Sequence, residues 1–299
     1  MGRFLGGKIP MGIAFTINLG VAPLLFLQVL YGQFIYVSSV LMAVFWLSIF
    51  VLTILAYYGA YLYQFKFDGW GPARIWPIGV AVILLLVVGF FFTNSLLLMI
   101  DPKAWPAYFQ QPKGMMIHWA ERSLIPRYLH FVISSVAVGG LVTALYGRWS
   151  GRRGEAGGES LVYRGLVLFG CASILQFVIG SWYLGTLPNQ VLVRIVFEDP
   201  LSFPLFLISI IAALASIIFS FSQKLGHTLV SALITIFFMV LFRFAVRTGY
   251  LEPYLAAGRP ETATQFGPAL MFVLVLIAGL LVMAYLVRLS LAAGKESSS

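Results

Sequence analysis

The chain has 299 residues, of which 61% are hydrophobic and 10% are charged, and its formal net charge is +9. Globular proteins average about 45–50% apolar and about 25% charged residues, so this composition excludes a water-soluble fold. Basic charge in such a chain is typical of loops that set membrane topology rather than of nucleic-acid binding. The single cysteine, Cys171, excludes an intrachain disulfide and a CxxCH heme-attachment motif.

Eight apolar segments predict an all-α fold, a polytopic bundle of about eight transmembrane helices in one domain over residues 1–299. About 20 apolar residues span a hydrocarbon core, and a helix satisfies its backbone groups within the segment. The alternating runs of about ten residues typical of a β-barrel are not seen. The predicted spans lie near residues 11–31, 39–63, 76–100, 126–147, 161–185, 202–222, 226–247 and 266–290.

The loops predict the orientation of the bundle. With the N-terminus placed in the cytoplasm, eleven of the 19 lysines and arginines fall on the inner side, as the positive-inside rule requires. Both termini are therefore predicted to be cytoplasmic. The Gly-rich segment 148–160 is predicted to be a flexible cytoplasmic loop. Segments 101–125 and 248–265 are predicted to be structured outer loops that meet a partner, and the tail 296–299 to be disordered.

His130 is the main candidate for chemistry, because it lies about one turn inside the outer end of the fourth span. An imidazole can ligate heme iron, and Arg127, one turn away, could pair with a heme propionate or a quinone oxygen. The small residues Ser134, Ala137 and Gly140 could leave room for a flat macrocycle. In the alternative interpretation His130 is bonded to a neighbouring helix and these small residues only allow close packing.

Other polar residues lie inside or beside the spans. Arg243 and Arg247, one turn apart, are predicted to form an anion-binding edge for propionates, a quinone headgroup or acidic lipid. The alternative is that they extend to the lipid headgroups. His118, in the outer loop, is a further candidate for ligating heme, with an ordinary surface histidine as the alternative. Asn94 and Gln176 are predicted to join helices by hydrogen bonds.

Four segments in chain order carry a family resemblance: residues 15–21 (FTINLGV), 41–51 (LMAVFWLSIFV), 94–105 (NSLLLMIDPKAW) and 127–130 (RYLH). Together they resemble the first subunit of cytochrome bd-type quinol oxidases. The resemblance implies a membrane subunit of a respiratory electron-transfer complex in the bacterial inner membrane. It implies quinone or quinol handling and one b-type heme on His130. Electrons would pass to or from a periplasmic multiheme cytochrome c or an iron–sulfur protein.

The chain also departs from that family. Its first helix has no counterpart here, and Leu47 stands where the family has a glutamate at the oxygen site. The quinol-binding loop is reduced to residues 186–201, and Phe206 or a neighbour stands where the second heme ligand, a methionine, is expected. The resemblance therefore implies the oxidase scaffold without a self-sufficient oxygen-reducing site. A heme would take its second ligand from elsewhere or be five-coordinate.

Two other functions stay open at this point. A cofactor-free anchor would have kept only the surfaces that bind the other subunits. A transporter or channel would need ionisable residues at mid-depth or broken helices in symmetric halves. The predicted spans carry no aspartate, glutamate, lysine or arginine at mid-depth, which disfavours transport.

Overall fold

The computed structural model describes residues 6–110, 112–255 and 266–296, and this part of the chain is helical without a β-strand. Eight helices are long and apolar enough to cross a membrane, which confirms the predicted all-α bundle. Large apolar side chains cover their outer surfaces, as in a multi-pass membrane protein. The helices are α1 (Ile9–Leu41), α2 (Ala43–Phe65), α3 (Ile75–Ile100), α4 (Leu124–Arg152), α5 (Gly158–Gly185), α6 (Ser202–Phe221), α7 (Leu225–Leu255) and α8 (Phe266–Glu296).

The connection between α1 and α2 differs from the prediction. A loop was expected near residues 32–38, but helix α1 continues through this segment. The backbone leaves helical geometry at Tyr31 (φ −133°, ψ 32°) and again at Met42 (φ −125°, ψ 37°). The segment stays helical because it lacks proline and buries side chains such as Phe34 and Ile35 in the bundle. Tertiary burial therefore overrides the local signal for a loop.

The connection between α4 and α5 is shorter than predicted. Helix α4 runs to Arg152 and α5 begins at Gly158, so most of the expected flexible loop 148–160 is helical. The turn uses Gly154 and Gly157, whose φ angles are +74° and +88°. Glycine adopts this left-handed conformation without the steric cost that a Cβ would add, and the chain reverses within a few residues.

Helices α4 and α5 form the closest helix pair of the bundle. A Cβ built on Gly140 would lie 2.7 Å from the carbonyl oxygen of Gly165, and one built on Gly147 would lie 2.7 Å from that of Gly158. The two backbones therefore touch along this half of the pair, as small residues allow in membranes. Ala232 of α7 packs against the same pair in an apolar cluster.

The segment between α3 and α4 is folded, as predicted. It begins with a 3-10 helix, Pro102–Gln110. Its backbone is attached to the junction of α1 and α2, because Met116 N–H donates to the Leu41 carbonyl at 3.1 Å and Val44 N–H donates to the Gly114 carbonyl at 3.0 Å. This loop therefore has a fixed position over the ends of α1 to α3.

The chain divides into two compact units, Met1–Glu252 and Pro253–Ser299. In the second unit, helix α8 is the one long helix of the residues that the structure describes. The predicted outer loop 248–265 begins as a continuation of α7 to Leu255. Residues 256–265 and 297–299 lie outside the described residues, so the expectations for the rest of that loop and for a disordered tail stay predictions. The assignment of one domain also stays a prediction.

Candidate functional site

A cavity of about 550 Å³ lies among α4, α5, α6 and α7. This volume falls within the ~300–1,000 Å³ of small-molecule and cofactor sites. Most of its wall is apolar, with Phe169, Phe177, Phe206 and Phe242 among the lining side chains. The cavity also contains a small polar group, which consists of Arg127, His130, Ser134, Gln176, Tyr183 and Arg243.

His130 lines this cavity from the second turn of α4. Its side chain is half-buried. Its Nδ1 atom is buried without a hydrogen-bond partner, and neither ring nitrogen is hydrogen-bonded within the described part of the chain. A Cβ on Gly180 would lie 3.7 Å from the His130 Cε1 atom, so the ring lies beside α5 at ordinary van der Waals distance. An unpaired imidazole in an apolar cavity is an available ligand.

The backbone of His130 is held by a bridge between α4 and α5. Gln176 Nε2 donates to the His130 carbonyl at 2.8 Å and also to Ser134 Oγ. Ser134 Oγ in turn donates to the same carbonyl at 2.8 Å. The predicted helix-joining role of Gln176 is therefore confirmed. Its Oε1 atom is buried without a partner and is the natural acceptor for a donor in the cavity.

The small residues near His130 divide between the two interpretations. Ser134 and Ala137 line the cavity, although Ala137 also belongs to the packed cluster of α4, α5 and α7. Gly140 instead contacts the backbone of α5, so it serves helix packing. Two of the three small residues therefore line the cavity, and the third packs against α5.

Arg127 and Arg243 place positive charge at this cavity. Arg127 donates from Nη2 to the Tyr183 hydroxyl at 2.9 Å, and its Nε is buried without a partner. Arg243 is an exposed side chain whose guanidinium carbon lies 5.2 Å from the centre of the Phe131 ring. Neither arginine forms an ion pair with a carboxylate within the described residues. Both guanidinium groups border the cavity, so it would favour an anionic group over a cationic one.

Arg247 does not line the first cavity. It lines a second cavity of about 530 Å³, bordered by α1, α2, α3 and α7. Its guanidinium carbon lies 5.3 Å from the centre of the Tyr31 ring, at the bend of α1. Arg243 borders both cavities. The predicted edge of two arginines therefore exists only in the second cavity, and the first cavity has Arg243 with Arg127.

His118 is placed apart from both cavities. Its Nε2 lies 2.9 Å from Asp101 Oδ2, and its backbone N–H donates to Asn94 Oδ1 at 2.9 Å. Asn94 also donates to the Met116 carbonyl at 3.1 Å, so these bonds join α3 to the loop, whereas a bond between helices was predicted. His118 therefore does not share the cavity that His130 lines.

The structure also gives the positions of Leu47 and Phe206, two residues at which the chain departs from the oxidase pattern. Leu47 is an exposed side chain on α2 and lines neither cavity. Phe206 lines the first cavity and stacks near Phe242, with ring centroids 4.8 Å apart. Sequence reasoning missed Met239 of α7, which also lines this cavity. The sequence gives little indication of such a role, because most methionines in apolar helices only contribute to packing.

The residues of the first cavity fit a flat, anionic, apolar-bodied cofactor. His130 offers a nitrogen ligand, Met239 a thioether, and Arg127 and Arg243 two cations, while the phenylalanines give an apolar wall. No aspartate or glutamate lines either cavity in the part of the chain that the structure describes. The chain matches no known family model, no curated protein and no solved structure.

Proposed function

We propose that the chain is a membrane subunit of a respiratory electron-transfer complex and binds one b-type heme in the first cavity. The observation that carries this proposal is His130, an imidazole without hydrogen bonds that faces an apolar cavity of about 550 Å³. The resemblance of residues 127–130 to the heme-ligand segment of bd-type oxidases supports the same assignment.

The residues around the cavity have separate roles in this proposal. His130 would hold the iron through a ring nitrogen, and Met239 could supply a second ligand from its thioether. Arg127 and Arg243 would pair with the propionates, because a guanidinium forms charge-assisted hydrogen bonds with carboxylates. The phenylalanine wall keeps water away. The bound heme would supply one-electron transfer, and a methionine–histidine pair would raise its potential.

The second cavity supports quinone or quinol binding as part of the same function. It is bordered by Arg247 and Arg243 at one end and by apolar side chains such as Leu27 and Leu30 along its wall. Guanidinium donors suit a quinone oxygen, and the apolar wall suits an isoprenoid tail. Because Arg243 borders both cavities, a quinone headgroup in the second would lie next to the heme site. Electrons could then pass between them.

The partner in this proposal is a periplasmic multiheme cytochrome c or iron–sulfur protein. The folded loop between α3 and α4 lies at the same end of the bundle as His130 and gives such a partner a fixed surface. The proposed location is the bacterial inner membrane, with this end facing outward. The missing carboxylate at Leu47 supports a role other than oxygen reduction.

A reduced-minus-oxidised absorption spectrum of the purified chain tests the heme assignment. We expect a b-type band in the wild type and in His227→Ala, because His227 lies at the start of α7, against the ring of Phe219. The band should be lost in His130→Ala. An unchanged band in His130→Ala, or no band in any preparation, would show that the assignment is wrong.

Met239 gives a second, independent readout. We expect Met239→Leu to keep the heme on His130 but to lower its reduction potential, because the thioether that favours the reduced iron is gone. A potentiometric titration measures the change, and Met283→Leu on α8 is a matched control. An unchanged potential would remove Met239 as the second ligand and leave a five-coordinate heme or a ligand from another chain.

A cofactor-free anchor is the second candidate function. It is favoured by Leu47 and Phe206, which occupy positions where the oxidases have a carboxylate and a methionine. An anchor would co-purify with its partner subunits and show no heme band and no quinone-dependent turnover. The spectrum described above therefore separates the two functions directly.

A further inference from the structure

Three metal-ligating side chains meet outside both cavities. Asp101 follows the end of α3, and His118 and Glu121 lie in the loop that leads to α4. Their candidate ligand atoms all lie within 4.8 Å of one another, and His118 Nε2 is 2.9 Å from Asp101 Oδ2. All three residues are half-buried, so their positions are set by the fold rather than by solvent.

The backbone around this cluster is held in place. Asn94 is fully buried and accepts the His118 backbone N–H at 2.9 Å, which fixes the histidine relative to α3. Glu121 Oε1 accepts the Ser123 backbone N–H at 3.1 Å, which orients that carboxylate at the start of α4. Hydrogen bonds of this kind to the ligand residues are what a metal site needs to hold its geometry.

The cluster brings together ligand types that a metal ion uses. Asp101 and Glu121 contribute two carboxylates, and neither forms an ion pair with a lysine or arginine among the described residues. Two carboxylates and one imidazole are a ligand set for a transition-metal ion.

We propose that Asp101, His118 and Glu121 bind a divalent transition-metal ion of the Zn²⁺ class at the outer end of the bundle. Zinc takes imidazole nitrogen and carboxylate oxygen at about 2.0–2.2 Å, so small side-chain rotations suffice to bring the three atoms onto one ion. The imidazole favours Zn²⁺, Co²⁺ or Cu²⁺ over Mg²⁺ and Ca²⁺, which prefer oxygen ligands alone. Three protein ligands leave the remaining positions to water. The site does not depend on the heme, because none of its residues lines either cavity.

Isothermal titration calorimetry with Zn²⁺ tests this site. The full-length chain is purified without a polyhistidine tag and stripped with a chelator. We expect one equivalent of Zn²⁺ to bind the wild type and at least a tenfold loss of affinity in Asp101→Asn and Glu121→Gln. Both variants keep an oxygen that can accept the hydrogen bond described above. Glu159→Gln, an exposed carboxylate at the other end of the bundle, is the matched control and should bind like the wild type.

Thermal unfolding separates loss of the site from loss of the fold. Without metal, the Asp101→Asn and Glu121→Gln variants should unfold at the wild-type temperature, and added Zn²⁺ should raise only the wild-type and Glu159→Gln midpoints. If Asp101→Asn fails to fold, Glu121→Gln gives the same comparison. The proposal is overturned if the wild type binds no Zn²⁺, or if both variants bind it as tightly as the wild type.

Discussion

The two halves of the α4–α5 pair are built in opposite ways. Toward the turn that connects the two helices, their backbones touch at Gly140–Gly165 and Gly147–Gly158. Toward the other end, the helices are joined by Gln176, and His130 borders the first cavity. In membranes, both small residues and hydrogen bonds between helices hold a helix pair together.

The two halves should therefore respond differently to substitution. The glycine half stabilises the pair, and substitutions there should act on folding. The half that contains His130 and Gln176 has space and unpaired polar atoms, so substitutions there should act on binding with smaller effects on folding.

A large effect is expected for Gly140→Ala. The added methyl would lie 2.7 Å from the Gly165 carbonyl oxygen and 2.8 Å from the Phe169 nitrogen, and both are backbone atoms that cannot rotate away. Overpacking of this kind costs about 1–3 kcal/mol. We expect a clear fall in the thermal unfolding midpoint of the detergent-solubilised protein.

Gly139→Ala is the control for that substitution. It is the adjacent residue on α4, and a Cβ there would contact nothing within 4 Å. Its midpoint should stay at or above that of the wild type, since alanine is the better helix former. Equal midpoints for the two variants would contradict the close approach of α4 and α5.

A moderate effect is expected for Gln176→Leu. The substitution removes the donor to the His130 carbonyl and to Ser134 Oγ. Helix-to-helix hydrogen bonds in membranes average about 0.6 kcal/mol and reach about 1.7 kcal/mol, so we expect a loss of stability of about 1 kcal/mol. Reversible unfolding in mixed micelles measures this loss.

Ser173→Ala serves as the control for Gln176→Leu. Ser173 lines the same cavity but forms no hydrogen bond with the described residues, so its loss should leave stability nearly unchanged. We also expect Gln176→Leu to broaden or shift any heme absorption band that depends on His130. The reason is that the backbone carbonyl of His130 loses the hydrogen bond from Gln176. A shift in Ser173→Ala but not in Gln176→Leu would contradict the bridge.

The smallest effect is expected for Gly180→Ala. A Cβ there would lie 3.7 Å from the His130 Cε1 atom, which is ordinary van der Waals contact. The unfolding midpoint should change little. Gly165→Ala on the same helix places its methyl 2.5 Å from the Ala144 nitrogen and should lower the midpoint strongly. Similar thermal unfolding midpoints for Gly180→Ala and Gly165→Ala would contradict the difference between the two halves of the α4–α5 pair.

The sequence predicted the features that depend on hydrophobicity along the chain. The eight apolar segments were found because about 20 apolar residues in a row have few uses other than crossing a bilayer. The position of His130 on α4 followed from the same pattern. The helix-joining role of Gln176 followed from the cost of polar groups in lipid.

Features that depend on how the helices are rotated and packed could not be predicted. Arg243 borders both cavities, whereas Arg247, one turn away, lines only the second and lies beside the ring of Tyr31. Gly140 was grouped with Ser134, yet it packs against α5. The contact between Asp101 and His118 depends on how the loop between α3 and α4 folds. The hydrophobic periodicity of the sequence does not predict that fold.

An experimental density map of the purified complex tests the central claim most directly. We predict density of the size and flatness of a macrocycle in the cavity among α4, α5, α6 and α7, in contact with the imidazole of His130 and with anionic groups at Arg127 and Arg243. A cavity filled by lipid chains or collapsed around the phenylalanine side chains, with His130 bonded to protein atoms, would contradict the heme-binding role.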